Sequence, residues 1–276
     1  MESWDLLLIP LGLAVGTFGT LVGAGGGFVL VPVLLLVYPD REPDVITSMS
    51  LLVVCANAAS GSLAYARQRR IDYASGAWFA IGTFPGAILG ALAVGYAPRR
   101  VFDAIFGGVL LALGLFLITR RGVTAIQPPI TGRGVVRRTI RDRDGLQFVY
   151  SFQLWKGVLI STGVGFISSL LGIGGGVIQV PIMATVLHFP IHVATATSQF
   201  VLMFMSAEGS AVHLITGTLG WDRSLAQAAL LAAGAVPGAQ LGAILSRRLR
   251  GPVIIRALSI ALLLVGARLA LKAAGI

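Results

Sequence analysis

Two glycine clusters, Gly23-Ala24-Gly25-Gly26-Gly27 and Gly172-Ile173-Gly174-Gly175-Gly176, interrupt apolar sequence and hold the residues most able to do chemistry. Glycine lacks a Cβ, so a ligand can approach its backbone closely and left-handed conformations are open to it. Breaking a helix frees backbone N–H groups. In a membrane that is tolerated only where the backbone lines a protein-enclosed or wet cavity. A short apolar run follows each cluster, and as a helix it would point its positive N-terminal end at the same place. The chemistry predicted is binding of an anion by Gly25, Gly26, Gly27, Gly174, Gly175 and Gly176. Close packing of membrane helices uses the same small residues and is the other reading.

Polar side chains recur just after each cluster. Thr47, Ser48 and Ser50 follow the first; Thr195, Thr197, Ser198 and Gln199 follow the second. At the start of a helix such residues either cap it and bond local carbonyls or donate to the oxygens of a bound anion. Gln199 is the costliest to bury and the strongest single polar candidate. Gln179 is expected either to turn back toward the second cluster or to cap it. Asn57 is read as a ligand contact or an interhelical bond. Glu208 lies deep in an apolar segment, where carboxylates are expensive and tend to be functional. It is either a proton carrier with His213 as relay, or a neutral or paired structural group. Arg256 and Arg268 stand near the ends of the last segment and are expected to snorkel.

No catalytic constellation accompanies these residues. Carboxylate pairs, a histidine cluster and a Ser/His/Asp set are all missing near the clusters. His188 and His192 flank Pro190 in a connection, which excludes a helical metal pair, so neither a metal nor a cofactor is expected. A dinucleotide fold is excluded because no strand precedes the glycines and no acidic residue follows at the right distance. Cys55 stands alone, so no intrachain disulfide can form.

Composition places these residues in a membrane. Of the 276 residues 56% are hydrophobic and 12% charged, and mean hydropathy is +0.88. Soluble domains carry about 25% charged residues. The net charge of +10 is not read as a nucleic-acid surface, because the basic residues fall in short clusters between apolar segments. The beginning Met1-Glu2-Ser3-Trp4-Asp5 has no basic region or cleavage site, so the first apolar run is expected to be retained.

The chain divides into a first repeat over 1–119, a basic extramembrane linker over 120–156 and a second repeat over 157–276. Leu21 to Val33 matches Leu170 to Ile182 at seven of thirteen positions, at an offset of 149. Gly82-Thr83-Phe84-Pro85-Gly86-Ala87-Ile88-Leu89-Gly90-Ala91 matches Gly234-Ala235-Val236-Pro237-Gly238-Ala239-Gln240-Leu241-Gly242-Ala243 at seven of ten, at an offset of 152. Two motifs in the same order establish a duplication. Each half reads as five apolar segments. The first two form a hairpin with the glycine cluster at its tip, because the second, at 28–37 and 177–187, is too short to span about 30 Å of hydrocarbon. The other three span. In the linker, β-formers around Asp144-Gly145 suggest a small β-hairpin or ordered loop, with a flexible linker as the other reading.

Three crossings per half invert the second half relative to the first. With Arg67, Arg69 and Arg70 inside, the linker and Arg247, Arg248 and Arg250 fall inside too. The fold expected is therefore all-α and polytopic, with two inverted repeats and both termini outside. The two glycine tips then meet near the midplane.

The doubled glycine motif ending in Pro32 and Pro181, the Thr/Ser starts at 47–50 and 195–198, and the Pro-Gly-Ala-x-x-Gly-Ala runs at 85–91 and 237–243 resemble the sulfite exporter TauE/SafE family of membrane transporters. Thr47-Ser48-Met49-Ser50 departs a little from the alanine-threonine-serine run more usual there. The resemblance covers essentially all of the chain but the linker. It implies a secondary carrier, in the cell's inner membrane, for sulfur-containing anions such as sulfite or an organosulfonate, often exported. The expected partners are that small anion and the lipid bilayer. A membrane-embedded enzyme acting on a hydrophobic substrate and an anion channel are the alternatives.

Overall fold

The computed structural model describes residues 3–119, 134–220 and 223–274. A short 3-10 turn (Ser3–Leu7) leads into α1 (Leu8–Val22), and α2 (Gly27–Val37), α3 (Pro43–Arg67), α4 (Tyr73–Ala93) and α5 (Arg99–Thr119) complete the first half. Two strands follow, β1 (Val135–Arg141) and β2 (Gln147–Gln153). The second half is α6 (Leu154–Leu171), α7 (Gly176–Thr185), α8 (Ile191–Ile215), α9 (Arg223–Arg248) and α10 (Gly251–Ala274). Of the expected linker, residues 120–133 lie outside the described residues.

The bundle buries uncharged polar groups among its apolar core residues and carries large apolar side chains on its outside, unlike a soluble protein. Thr47, Ser50, Asn57, Thr195, Ser198 and Gln199 are all 0% exposed, whereas Ile81, Leu89, Leu159 and Leu264 are 60–68% exposed. Only a lipid surround makes that arrangement favourable, since exposed leucine costs nothing in hydrocarbon while a polar group there must find partners inside. Seven described helices are long and apolar enough to cross a membrane: α1 with the turn before it, α3, α4, α5, α6, α9 and α10. The chain is thus an α-helical, multi-pass membrane protein. The 25-residue α8 is as long as α3 but carries Gln199, Glu208 and His213. The 11-residue α2 and 10-residue α7 reach only about 16 Å at 1.5 Å per residue. Each is about half the length that a crossing of about 30 Å of hydrocarbon needs.

The halves pack reciprocally. Gly82, Gly86 and Gly90 of α4 lie against the backbone carbonyls of Val158, Thr162 and Phe166 of α6. Gly234, Gly238 and Gly242 of α9 lie against those of Ile9, Leu13 and Thr17 of α1. The repeat offsets carry one set onto the other, so each half presents the surface that it receives. The absent Cβ allows this approach: on Gly82 it would stand 2.8 Å from the Val158 oxygen. Likewise α3 packs on α8, and α5 on α10.

The segment between the halves is a docked β-hairpin. Its register pairs Val135 with Gln153 and Arg141 with Gln147. The turn is five residues long rather than the two-residue Asp144-Gly145 turn the sequence suggests. Asp142 organises it, its carboxylate accepting from the Asp144 and Leu146 N–H groups at 3.0 and 2.9 Å, and Gly145 adopts φ +86°. Asp142 also accepts from Arg70 at 3.0 Å, both side chains being buried. The hairpin side chains Tyr150 and Phe152 pack against Phe189, with ring centroids at 4.4 and 4.8 Å.

Candidate functional site: touching glycine tips

Each tip is built by the same backbone device. Gly23 and Gly172 end α1 and α6 in the left-handed conformation, with φ +76° and +67°, and the next turns leave Gly25, Gly26, Gly174 and Gly175 at φ +74° to +86°. An L-side chain at these φ values is strained, which is why glycine occupies them. The first tip tucks in through Gly23 N–H to Thr20 O at 3.0 Å and Ala24 N–H to Gly19 O at 2.7 Å. The second does so through Gly172 N–H to Ser169 O at 3.4 Å and Ile173 N–H to Ser168 O at 3.1 Å.

The tips touch. A Cβ on Gly27 would stand 2.7 Å from the Gly172 oxygen, and one on Gly176 would stand 2.7 Å from the Ala24 Cα. Both tips are buried throughout. Among the described residues, the N–H groups of Gly26, Gly27 and Phe28 and those of Gly174, Gly175, Gly176 and Val177 make no hydrogen bond. They are the first donors of α2 and α7, so both helix dipoles present their positive ends here. Unpaired donors in a dry interior are costly. A small anion would satisfy them and offset both dipoles.

The polar side chains divide by role. Ser50 Oγ donates to Gly172 O at 2.7 Å and Ser198 Oγ to Gly23 O at 3.0 Å. With their one proton committed to tip carbonyls, these two stand behind the tips and fix them, each from the opposite half. Asn57 Nδ2 donates to Thr20 Oγ1 at 3.1 Å and to Gly25 O at 3.3 Å. Gln199 lies beside Gly61, with Nε2 3.5 Å from Gly19 O and Oε1 unpaired. Thr47 packs on Gly172 with its hydroxyl unpaired, and Thr195 packs on Gly23 while donating to His192 O at 3.1 Å. Ser48 bonds locally to Val45 O at 2.7 Å.

Other candidates are not brought to the tips. Gln179 donates to Ser161 Oγ at 3.3 Å, some three turns of α6 before the tip. Thr197 accepts from the Asp72 N–H at 3.0 Å, beside the start of α4. Glu208 lines an outward-facing cleft of about 230 Å³ with Ala77, Ala80, Ile81, Phe84, Phe200 and Phe204. His213, five residues on, is turned about 140° around the helix and is buried. The two share no direct hydrogen bond among the described residues. The sequence reading missed Ser168 and Ser169, whose hydroxyls are buried and unpaired beside the second tip. Their position in the last turn before the break is the signal that would have found them.

The family model for "Sulfite exporter TauE/SafE" matches residues 8–269. A probable membrane transporter protein of Bacillus subtilis, YunE, is 36% identical over 270 residues, covering 96% of both chains. A probable membrane transporter protein of Methanocaldococcus jannaschii is 27% identical over 231 residues, covering 80% of this chain and 78% of that one. One of Haemophilus influenzae is 27% identical over 241 residues, covering 87% and 84%. No solved structure matches the chain.

Proposed function

Because the chain belongs to the sulfite exporter TauE/SafE family, we propose that it is a secondary transporter that exports small sulfur-containing anions, such as sulfite or an organosulfonate, by alternating access. The observation that carries this reading is the set of seven unpaired, buried N–H groups where α2 and α7 begin. An oxyanion brings several acceptors and a charge matched to both helix ends. Burial of both tips corresponds to an occluded state, and export needs each end of the bundle to open in turn.

The reciprocal packing of the halves supports an inverted repeat. In that arrangement the hairpin end, with Arg67, Arg69, Arg247, Arg248 and Arg250, faces the cytoplasm. Both termini then face out, and a reporter that finds the N-terminus cytoplasmic would overturn this. The cytoplasm is negative, and one charge moved through 100 mV is worth about 2.3 kcal/mol. An anion therefore leaves downhill without a coupling ion. The place of Glu208 on the outer face, away from the tips, favours uniport over proton coupling.

The test is sulfite efflux from proteoliposomes under a potassium-diffusion potential at matched pH. Saturable efflux that accelerates with a negative interior is expected, unchanged in Glu208→Gln and abolished in Gly26→Val and Gly175→Val. Flux that ignores voltage, follows a proton gradient and loses that dependence in Glu208→Gln would remove uniport. Rates far above those of carriers would indicate a channel. No flux of sulfite or any organosulfonate would remove the substrate assignment.

A further inference from the structure

The two tips share a backbone but differ in the groups behind them. The offset of 149 pairs Gly19 and Thr20 with Ser168 and Ser169; an offset of 148 pairs Asn57 with Met205 and Tyr65 with His213. In the first half these positions are saturated. Thr20 and Asn57 bond each other at 3.1 Å, Asn57 also holds Gly25 O at 3.3 Å, and the Tyr65 hydroxyl donates to Thr20 O at 2.8 Å. In the second half the matching groups are unpaired. Met205 puts a thioether where the first half has an amide, its Sδ 3.0 Å from where a Cβ on Gly175 would stand, and Ser168 Oγ, Ser169 Oγ and His213 Nε2 have no partner. All three side chains are buried, at 0%, 0% and 1% exposure. Ser168 Oγ faces the tip, 3.1 Å from where a Cβ on Gly175 would stand. The backbone follows the same asymmetry: Gly25 N–H is held by Gly19 O at 3.2 Å, while Gly174 N–H is free among the described residues.

We infer that the anion seats at the second tip, held by the hydroxyls of Ser168 and Ser169 with the N–H groups of Gly174, Gly175, Gly176 and Val177, and that the first tip, where Thr20, Asn57 and Tyr65 are already paired, closes over it. This rests on the transport reading above. The first tip keeps free N–H groups at Gly26, Gly27 and Phe28 but its Asn57 amide is committed to Thr20 and Gly25, whereas a buried hydroxyl without an acceptor is costly until one arrives. Neutral donors also suit a carrier, because they hold an anion without the trapping attraction of a buried arginine.

Sulfite affinity of the full-length protein, read by thermal shift and by the half-saturating concentration for efflux, tests the assignment. Ser168→Ala and Ser169→Ala should each weaken affinity about ten- to a hundredfold, the loss expected for one hydrogen bond to a charged group, with unliganded melting nearly unchanged. Met205→Asn places beside the second tip the amide that Asn57 places beside the first, and should weaken affinity while every serine remains. Thr20→Val should lower melting and leave affinity within about twofold. Wild-type affinity in both serine variants would overturn the seat. So would a Thr20→Val loss of affinity as large as theirs. If the wild-type protein neither binds nor moves sulfite or an organosulfonate, the transport reading itself falls, and the seat with it.

Discussion

At the hairpin end the halves are joined through an inserted element; at the opposite end they are joined directly. The hairpin sets Asp142 against Arg70, both buried, and Asp144 against the exposed Arg247 at 2.7 Å. Arg143 N–H donates to Gln68 O at 3.0 Å, and Gln68 Nε2 donates in turn to Ala243 O of the other half at 2.9 Å. The opposite end has no such insert. There Asp5 accepts from Gln227 at 2.9 Å and from Arg223 at 3.3 Å, and Gln227 accepts from Arg41 at 2.8 Å. Arg99 gathers the carbonyls of Leu35, Pro39 and Arg41 at 2.7–3.0 Å. One end therefore closes through the inserted hairpin, with the buried Arg70–Asp142 pair and an aromatic cluster at its centre, and the other spreads its closure over many weaker bonds. A buried pair fails as a unit because either charge alone is stranded. A distributed network yields gradually. The end with the insert should open in an all-or-none fashion, and the opposite end by degrees.

The sharpest way to break this comparison is Asp142→Ala. It leaves buried Arg70 with only the longer 3.9 Å contact to Asp144 among the described residues and removes the acceptor that organises the turn. A loss of about 3–5 kcal/mol is expected, with fast amide exchange over residues 135–153. Unchanged melting and exchange would erase the distinction between the ends. Asp5→Ala should cost less, about 1–3 kcal/mol, the penalty for leaving partners of one buried acceptor unsatisfied. Hairpin exchange should stay slow in that variant, and a fast-exchanging hairpin would show that the ends are not independent.

Tyr150 provides a pH test. Its hydroxyl donates to Asp72 at 2.8 Å, and burial together with the Asp72 carboxylate pushes the phenol far above its ordinary value. Above pH about 10 the unfolded chain releases this proton while the folded hairpin keeps it. Stability should therefore fall as pH rises past about 10, by up to about 1.4 kcal/mol per unit from this group, and should not depend on it below. Tyr150→Phe should lose that part of the slope; an unaltered slope would place the tyrosine outside the seal. The smallest effect is expected for Arg247→Ala. Its partner is exposed, and such pairs contribute about 0–1 kcal/mol. A larger drop in melting would mean that Arg247 shares the load of Arg70.

Much of the fold was legible because membrane insertion writes itself into composition. Long apolar runs, glycine breaks before Phe28 and Val177, and two motifs at fixed offsets are local patterns, and the helices start within a few residues of where those patterns put them. The hairpin was half legible. β-formers and Gly145 marked it, but the five-residue turn follows from Asp142 bonding two N–H groups, which a dipeptide does not reveal. Individual side chains were least legible. Ser50, Thr197 and Gln179 look alike as buried polar residues near a tip, yet one ties the other half's tip, one meets the Asp72 N–H and one turns to Ser161.

By itself the sequence determined a duplicated, helical membrane protein with two glycine tips and an uncharged polar centre, since hydropathy and backbone permissiveness are properties of short stretches. Only the tertiary structure decided that the tips touch, that Ser50 and Ser198 are committed to tip carbonyls, and that Ser168 and Ser169 are left with free hydroxyls. The reason is that a hydrogen bond is a relation between two groups. Residues 122 and 175 positions apart, as Ser50 is from Gly172 and Ser198 from Gly23, acquire or lose partners only when the halves pack.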